Sequence, residues 1–231
     1  SIKRKDFLGI LGVGVLVTFH WLCFFQSIKV SNVSVAVVCL ATSSLFAAIL
    51  EPIFFKRKLL KYEVIMSLIV IGALIYILGA DSKHVSGYIF GLTAAFLGTL
   101  FTIFNAQYIE RINAAKITMI EMLTGVLMIS CLFLCNQDYS MFISFISISD
   151  FCYLLILGTL CTACVFVWMT EIMKHITPYS LIMAINLEPI YSILLALLIF
   201  GDTEKMSSSF YIGGSIIITV VFLEGYLKNK Q

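Results

Sequence analysis

Charged residues are scarce in this sequence. Only 12% of its 231 residues are Asp, Glu, Lys or Arg, whereas 61% are hydrophobic, and the mean hydropathy is +1.04. Soluble domains carry roughly 25% charged residues, so this chain has too few polar side chains to cover the surface of a large soluble protein. The composition argues against a soluble enzyme and predicts an all-α protein in a membrane.

The motifs of several enzyme and metal-site classes are also absent. The chain has no phosphate-binding glycine loop, which disfavours ATP-driven transport by this chain alone. Cys161 and Cys164 have the spacing of a redox or zinc pair, but no second Cys pair or His cluster completes a site. We therefore expect no catalysis, no cofactor and no metal. All seven cysteines fall inside apolar runs, where they act as small apolar residues, and no disulfide framework is implied.

Eight apolar runs are long enough to cross a bilayer, which needs about 20 residues of α-helix. They span residues 7–28, 33–55, 62–79, 88–108, 117–135, 151–173, 178–200 and 210–227. The connections between most of them are short, as in a compact helix bundle. No Pro/Ser-rich linker divides the chain. We therefore predict a polytopic transmembrane helix bundle that forms a single domain over residues 1–231.

Basic residues are distributed unevenly among the connections. With the N-terminus in the cytoplasm, the cytoplasmic segments hold twelve Lys and Arg residues and the outer loops hold three, which are Lys29, Lys83 and Lys205. This bias predicts a multi-pass protein of the cell membrane with both termini in the cytoplasm. The basic run from Lys56 to Lys61 is then a topology anchor, so we expect no nucleic-acid partner.

Glu188, followed by Pro189, lies about halfway along the seventh run. A carboxylate costs at least about 2.5 kcal/mol at the centre of a bilayer, and proline frees the backbone carbonyl of Ile185. Such interruptions of a membrane helix commonly line a binding cavity. The pair predicts that Glu188 binds a substrate amine or a proton. The alternative is a protonated carboxyl that is hydrogen-bonded between helices.

Further candidates for the same site are polar or aromatic. His20 lies mid-span and has a side chain suited to proton coupling, although a lone membrane histidine also serves as an interhelical hydrogen bonder. Aromatic rings can stack on a flat or cationic substrate, or simply pack between helices. The predicted substrate-binding residues are Glu188, His20, Trp21, Phe24, Asn186 and Tyr191.

Other intramembrane residues have structural explanations. Glu51, Glu121, Glu171 and Glu224 lie near predicted cytoplasmic ends, where they can reach headgroups and basic clusters, so we expect structural pairing. Asn105 either ties helices together or gates the inner mouth. Six glycines are expected to permit close helix approach, and these are Gly72, Gly87, Gly91, Gly98, Gly213 and Gly214.

Several segments resemble a known family. His20-Trp21, Phe24-Phe25 and residues 27–35 are similar to the third helix of EamA-type transporters, which belong to the drug/metabolite transporter superfamily. Residues 185–190, 199–204 and 211–215 resemble the ninth and tenth helices of that family. The family commonly has Glu after Gly at the end of the ninth helix, whereas here Asp202 follows Gly201.

The resemblance implies a fold of ten helices in two inverted five-helix repeats around a central cavity. This chain would then hold helices three to ten and lack the first two. Residues 1–81 would be the remainder of the first repeat, and residues 87–231 the second repeat. The basic start of the chain, with no initiator Met, fits the absence of an earlier helix pair.

Together these observations predict a secondary transporter of small organic metabolites, such as amino acids or drugs, that works by alternating access. Its partners would be a small-molecule substrate, the lipid bilayer and a proton or solute gradient, and a homodimer is compatible with this interpretation. The alternatives are a non-transporting interaction or assembly subunit and an intramembrane enzyme. The latter needs a second titratable group beside Glu188, for which only His20 is available.

Overall fold

The structure is a computed structural model that describes residues 2–56, 58, 61–80, 84–136, 147–185, 188–201 and 206–228. These residues form α-helices, one π-helical segment and connecting turns, without a β-strand among them. The elements in chain order are α1 (Arg4–Val30), α2 (Val33–Ala41), α3 (Ser43–Phe55), α4 (Lys61–Ala80), α5 (Val85–Ile109), α6 (Ala114–Asn136), α7 (Ile148–Gly158), the π-helical segment (Thr159–Cys164), α8 (Val165–Ile172), α9 (Pro178–Ile185), α10 (Glu188–Phe200) and α11 (Ser208–Lys228).

Among the residues that the structure describes, six stretches of helix are long and apolar enough to cross a membrane. They are Arg4–Val30, Val33–Phe55, Val85–Ile109, Ala114–Cys135, Ile148–Ile172 and Ser208–Leu227. Each coincides with one of the eight predicted runs, so the all-α membrane fold is confirmed. The other two runs, 62–79 and 178–200, contain the shorter apolar stretches Leu68–Ile77 and Tyr191–Phe200.

Two of the spans change their helical geometry partway along. In the second, α2 ends at Ala41 and α3 begins at Ser43, and the hydroxyl of the intervening Thr42 donates to the Cys39 carbonyl at 2.6 Å. In the fifth, the segment Thr159–Cys164 is wound as a π-helix between α7 and α8. Cys161 and Cys164, the pair with redox spacing, lie in this segment as free thiols.

The helices form two compact units. The first contains Ser1–Thr18 and Phe104–Ile176. In this unit α6 packs against α8, and the Arg111 guanidinium pairs with the Asp6 carboxylate at 2.9 Å. Arg111 also lies over the ring of Tyr108, 5.4 Å from its centre. These contacts attach the start of α1 to the turn that follows α5.

The second unit contains Phe19–Ile103 and Thr177–Gln231. Its α11 packs against α4, α10 packs against α2, and α9 packs against α3. The apolar core of this unit is built mainly from α2, α4 and α11, and its fully buried members include Val35, Cys39, Ile77, Phe210 and Ile217. Burial of these side chains among helices fixes how the unit packs.

Glycines mark the close helix contacts of the second unit. On α5, a methyl group added to Gly87, Gly91 or Gly98 would lie 2.3 Å from the Ser31 hydroxyl oxygen, 2.7 Å from Cys39 Cβ and 3.1 Å from the His20 ring, respectively. The predicted packing role of these three glycines is confirmed. It is also confirmed for Gly213, which faces Ile77. It is wrong for Gly72, where an added methyl group would meet no atom of the described residues within 4 Å.

Candidate functional site

His20 lies on α1 and faces α5. Its Nδ1 lies 2.7 Å from the carbonyl oxygen of Ala94. Because a carbonyl oxygen can only accept, Nδ1 must carry the proton in this contact. In a neutral ring of this tautomer, Nε2 is the acceptor nitrogen. The absence of a side chain at Gly98 makes room for the ring, whose Cε1 would lie 3.1 Å from an added methyl group.

Aromatic rings surround His20. Phe24, one helical turn further along α1, stacks on the imidazole with ring centres 6.5 Å apart and planes tilted by 7°. Phe101 of α5 meets it edge-on at 5.4 Å. Phe24 and Trp21 are half-buried. The structure thus brings His20 and Phe24 together, and the interhelical hydrogen bond weighed for a lone membrane histidine is present.

Glu188 is the first residue of α10, and its side chain is exposed on the surface of the protein. Tyr191 is one turn further on, on the same face, and is 62% exposed. Asn186 lies outside the described residues. A carboxylate and a phenol that share one exposed helix face can together contact a cation, the carboxylate by charge and the ring by its π-face.

The predicted site residues form two groups, one around His20 and one at Glu188 and Tyr191. In the described part of the chain, no hydrogen bond, ion pair or ring contact connects Glu188 or Tyr191 to His20. The structure also has an apolar groove elsewhere, in the first unit, with Met119, Met122, Ala163 and Val167 among its lining residues. None of the predicted site residues lines this groove.

The glutamates expected to pair at the membrane surface behave differently from one another. Glu171 accepts a hydrogen bond from the Lys174 ammonium, so the prediction is confirmed for this residue. It is wrong for Glu121, which is only 1% exposed and has no hydrogen-bond partner at either carboxylate oxygen. Glu51 is also buried, and the side chain of Glu224 lies outside the described residues.

Sequence reasoning missed the burial of Glu121 together with two polar neighbours. Asn105 and Thr118 are 1% and 3% exposed, and the Asn105 amide lies near the Glu121 carboxylate without forming a hydrogen bond of good geometry to it. The i, i+3 spacing of Thr118 and Glu121, which places them on one face of α6, was the available signal.

Comparisons with known proteins identify a family. The sequence matches the EamA-like transporter family over residues 1–79 and 85–224. No curated protein matches it. Nineteen solved chains match. One of these, a crystal structure of a protein, superposes with a TM-score of 0.65 at 16% identity, covering 96% of this chain and 77% of its own. At that identity the likeness concerns the fold alone.

Proposed function

Since the chain belongs to the EamA-like transporter family, we propose that it is a secondary transporter that moves small organic metabolites, such as amino acids or drugs, across the cell membrane. It is a multi-pass membrane protein of a transporter family, and that family is not one of enzymes. In the proposed mechanism, helices rearrange around a midplane site by alternating access, driven by an ion or solute gradient.

The proposed architecture has eight spans, equivalent to helices three to ten of an inverted-repeat fold, with both termini in the cytoplasm. Two observations support the number of spans. Helix α4, from Lys61 to Ala80, has the length of a bilayer span, about 30 Å at 1.5 Å per residue. Helices α9 and α10 have 8 and 13 residues, so each alone is too short, but together they cover the seventh run.

The observation that carries the proposed function is the placement of Glu188. The carboxylate stands at the start of α10, inside an apolar run, and is exposed. A charged group that faces hydrocarbon costs several kcal/mol, so such a residue belongs in a water-filled cavity or a binding site. We infer that Glu188 binds the positively charged group of a substrate, with Tyr191 beside it.

His20, Trp21 and Phe24 are proposed as the second wall of the same site, and Asn186 as a polar contact near Glu188. The Nε2 of His20 is suited to accept a hydrogen bond from a substrate, while Nδ1 is held by Ala94. The half-buried ring of Phe24 offers an aromatic surface next to it. This arrangement fits a substrate with an amine and a flat or apolar part.

Glu188→Gln is expected to weaken substrate binding at least tenfold, about 1.4 kcal/mol, because the amide keeps the shape of the side chain but removes its charge. The measurement is thermal stabilisation of the purified protein by amino acids, polyamines, nucleosides and cationic drugs. Compounds that stabilise the wild type are then tested as labelled substrates for uptake into proteoliposomes.

Glu110→Gln is the matched control, because Glu110 is exposed in the turn after α5 and the charge change is the same. A compound that stabilises the wild type and the control but not Glu188→Gln supports the proposed site. Equal stabilisation of all three proteins would leave transport standing and remove Glu188 from the site. If no compound binds or is transported, the chain is better explained as an interaction or assembly subunit.

A further inference from the structure

The first unit contains a buried polar cluster that the proposed substrate site does not use. It consists of Asn105 near the end of α5 and of Thr118 and Glu121 near the start of α6, and all three side chains are at least 97% buried. Glu121 lies about 10 Å along α6 from its first residue. We refer to these three residues as the Glu121 cluster.

Four oxygen atoms of the Glu121 cluster have no hydrogen-bond partner. They are Oδ1 of Asn105, Oγ1 of Thr118, and Oε1 and Oε2 of Glu121. Buried polar groups are nearly always satisfied, and each unsatisfied one costs free energy. All four atoms can accept a hydrogen bond or coordinate a cation, so a proton donor or a cation would satisfy them.

The cationic side chains in the described part of the first unit are paired elsewhere or exposed. Arg111 is paired with Asp6, and Lys174 is paired with Glu171. Tyr108 on α5 lies beneath Arg111. The remaining charged side chains near the ends of α5 and α6, Glu110 and Lys116, are exposed, as are those of Lys3, Arg4 and Lys5 at the start of α1. Within the described part of this unit, an ionised Glu121 therefore has no cationic side chain to compensate its buried charge.

Helix α1 packs closely against the backbone of α6 beside Glu121. Gly14 of α1 lies so close that an added methyl group would be 3.1 Å from Glu121 Cα and 2.7 Å from Thr124 Cβ. One turn further along, Gly125 of α6 faces the hydroxyl of Thr18. On this side the backbones of α1 and α6 are thus in contact, while Thr118 is the one member of the cluster that also lines the apolar groove of the first unit. A single small ion needs only the oxygens of the cluster.

We propose that Asn105, Thr118 and Glu121 form a binding site for one small monovalent cation, either Na⁺ or a proton. Carboxylate, amide and hydroxyl oxygens are the ligands that hard cations prefer, and a buried carboxylate is equally able to hold a proton. The assignment of this ion as the one that drives transport rests on the proposed function, whereas its binding does not. The two can therefore fail separately.

The test is the thermal stability of the purified full chain without any organic substrate. The probes are NaCl against choline chloride at equal ionic strength, and pH 5.5 against pH 8 in choline chloride. A Na⁺ site predicts that NaCl raises the wild-type Tm saturably by about 5 °C, because ligand binding to the folded state stabilises it. A proton site predicts instead that the wild-type Tm is higher at pH 5.5 than at pH 8. This difference in Tm should be larger in the wild type than in Glu121→Gln.

Glu121→Gln removes the charge without changing the shape, so it is expected to lose whichever response the wild type shows. Thr118→Val, which removes one oxygen from a side chain of similar size, is expected to weaken a Na⁺ response about tenfold. Glu110→Gln, on the exposed turn, should respond as the wild type does. The proposal is overturned if the wild type responds to neither probe, or if its response persists unchanged in Glu121→Gln and Thr118→Val.

Discussion

Gly14→Val should lower the Tm of the purified protein by about 10 °C. A β-carbon at this position would lie 2.7 Å from Thr124 Cβ and 3.1 Å from the Glu121 α-carbon. Thr124 is β-branched and its hydroxyl is held by the Ile120 carbonyl at 2.7 Å, so it cannot turn away freely. Overpacking of this kind costs about 3 kcal/mol, and for a chain of this length each kcal/mol shifts Tm by about 2–4 °C.

Gly12→Val is the matched control for this prediction. Gly12 lies two residues earlier on α1, is exposed, and has no atom within 4 Å of an added methyl group. Since both variants change helix propensity equally, the difference between them isolates the contact of α1 with α6. Thermal unfolding in one detergent measures both. A Tm for Gly14→Val within about 2 °C of the control would show that α1 and α6 are not in close contact here.

In the second unit, Gly91→Val should have an effect of similar size. A methyl group at Gly91 would lie 2.7 Å from Cys39 Cβ, 2.9 Å from its sulfur and 3.2 Å from the Ser27 hydroxyl oxygen. Ser27 is already fixed by its hydrogen bond of 2.8 Å to the Gly87 carbonyl. Because Cys39 is fully buried in the apolar core, relief requires α5 to move away, which breaks the Ser27 bond.

Gly72→Val provides the comparison, because Gly72 is also inside a helix of the second unit but is exposed and open around its α-carbon. We expect a loss of about 3 kcal/mol for Gly91→Val and almost none for Gly72→Val. The readout is the fraction of protein that stays monodisperse in size-exclusion chromatography after heating. Equal losses in the two variants would contradict the close approach of α5 to α2.

The sequence was sufficient to predict helices and their membrane setting, because the length and apolarity of a run are local properties. The sequence was less informative about where the helical geometry changes within a span. The break at Thr42 and the π-helical segment Thr159–Cys164 depend on hydrogen bonds that composition does not reveal. Likewise, glycine spacing on α5 predicted its packing face, whereas the isolated Gly72 had no such pattern and was assigned wrongly.

The sequence could suggest individual candidate residues for the site, but it could not predict which of them contact one another. A charge beside a proline in an apolar run makes Glu188 a candidate, because the cost of burying a charge in hydrocarbon does not depend on the fold. The ring contacts of His20 with Phe101 join residues far apart in sequence, and no local rule predicts them. Glu121 was assigned to the membrane surface from its position along the run, but the approach of Gly14 from α1 decides its burial.

Helix α7 and the π-helical segment that follows it contain no buried residue. Their side chains therefore need to be apolar enough for the lipid hydrocarbon, but they need not fit the shape of a packed neighbour. Exchanges among Leu, Ile, Val and Phe in this stretch disturb no packed neighbour, so such substitutions can accumulate here over evolutionary time. A relative of this protein could thus be barely recognisable in this helix while it keeps the glycine contacts of α1 and α5 intact.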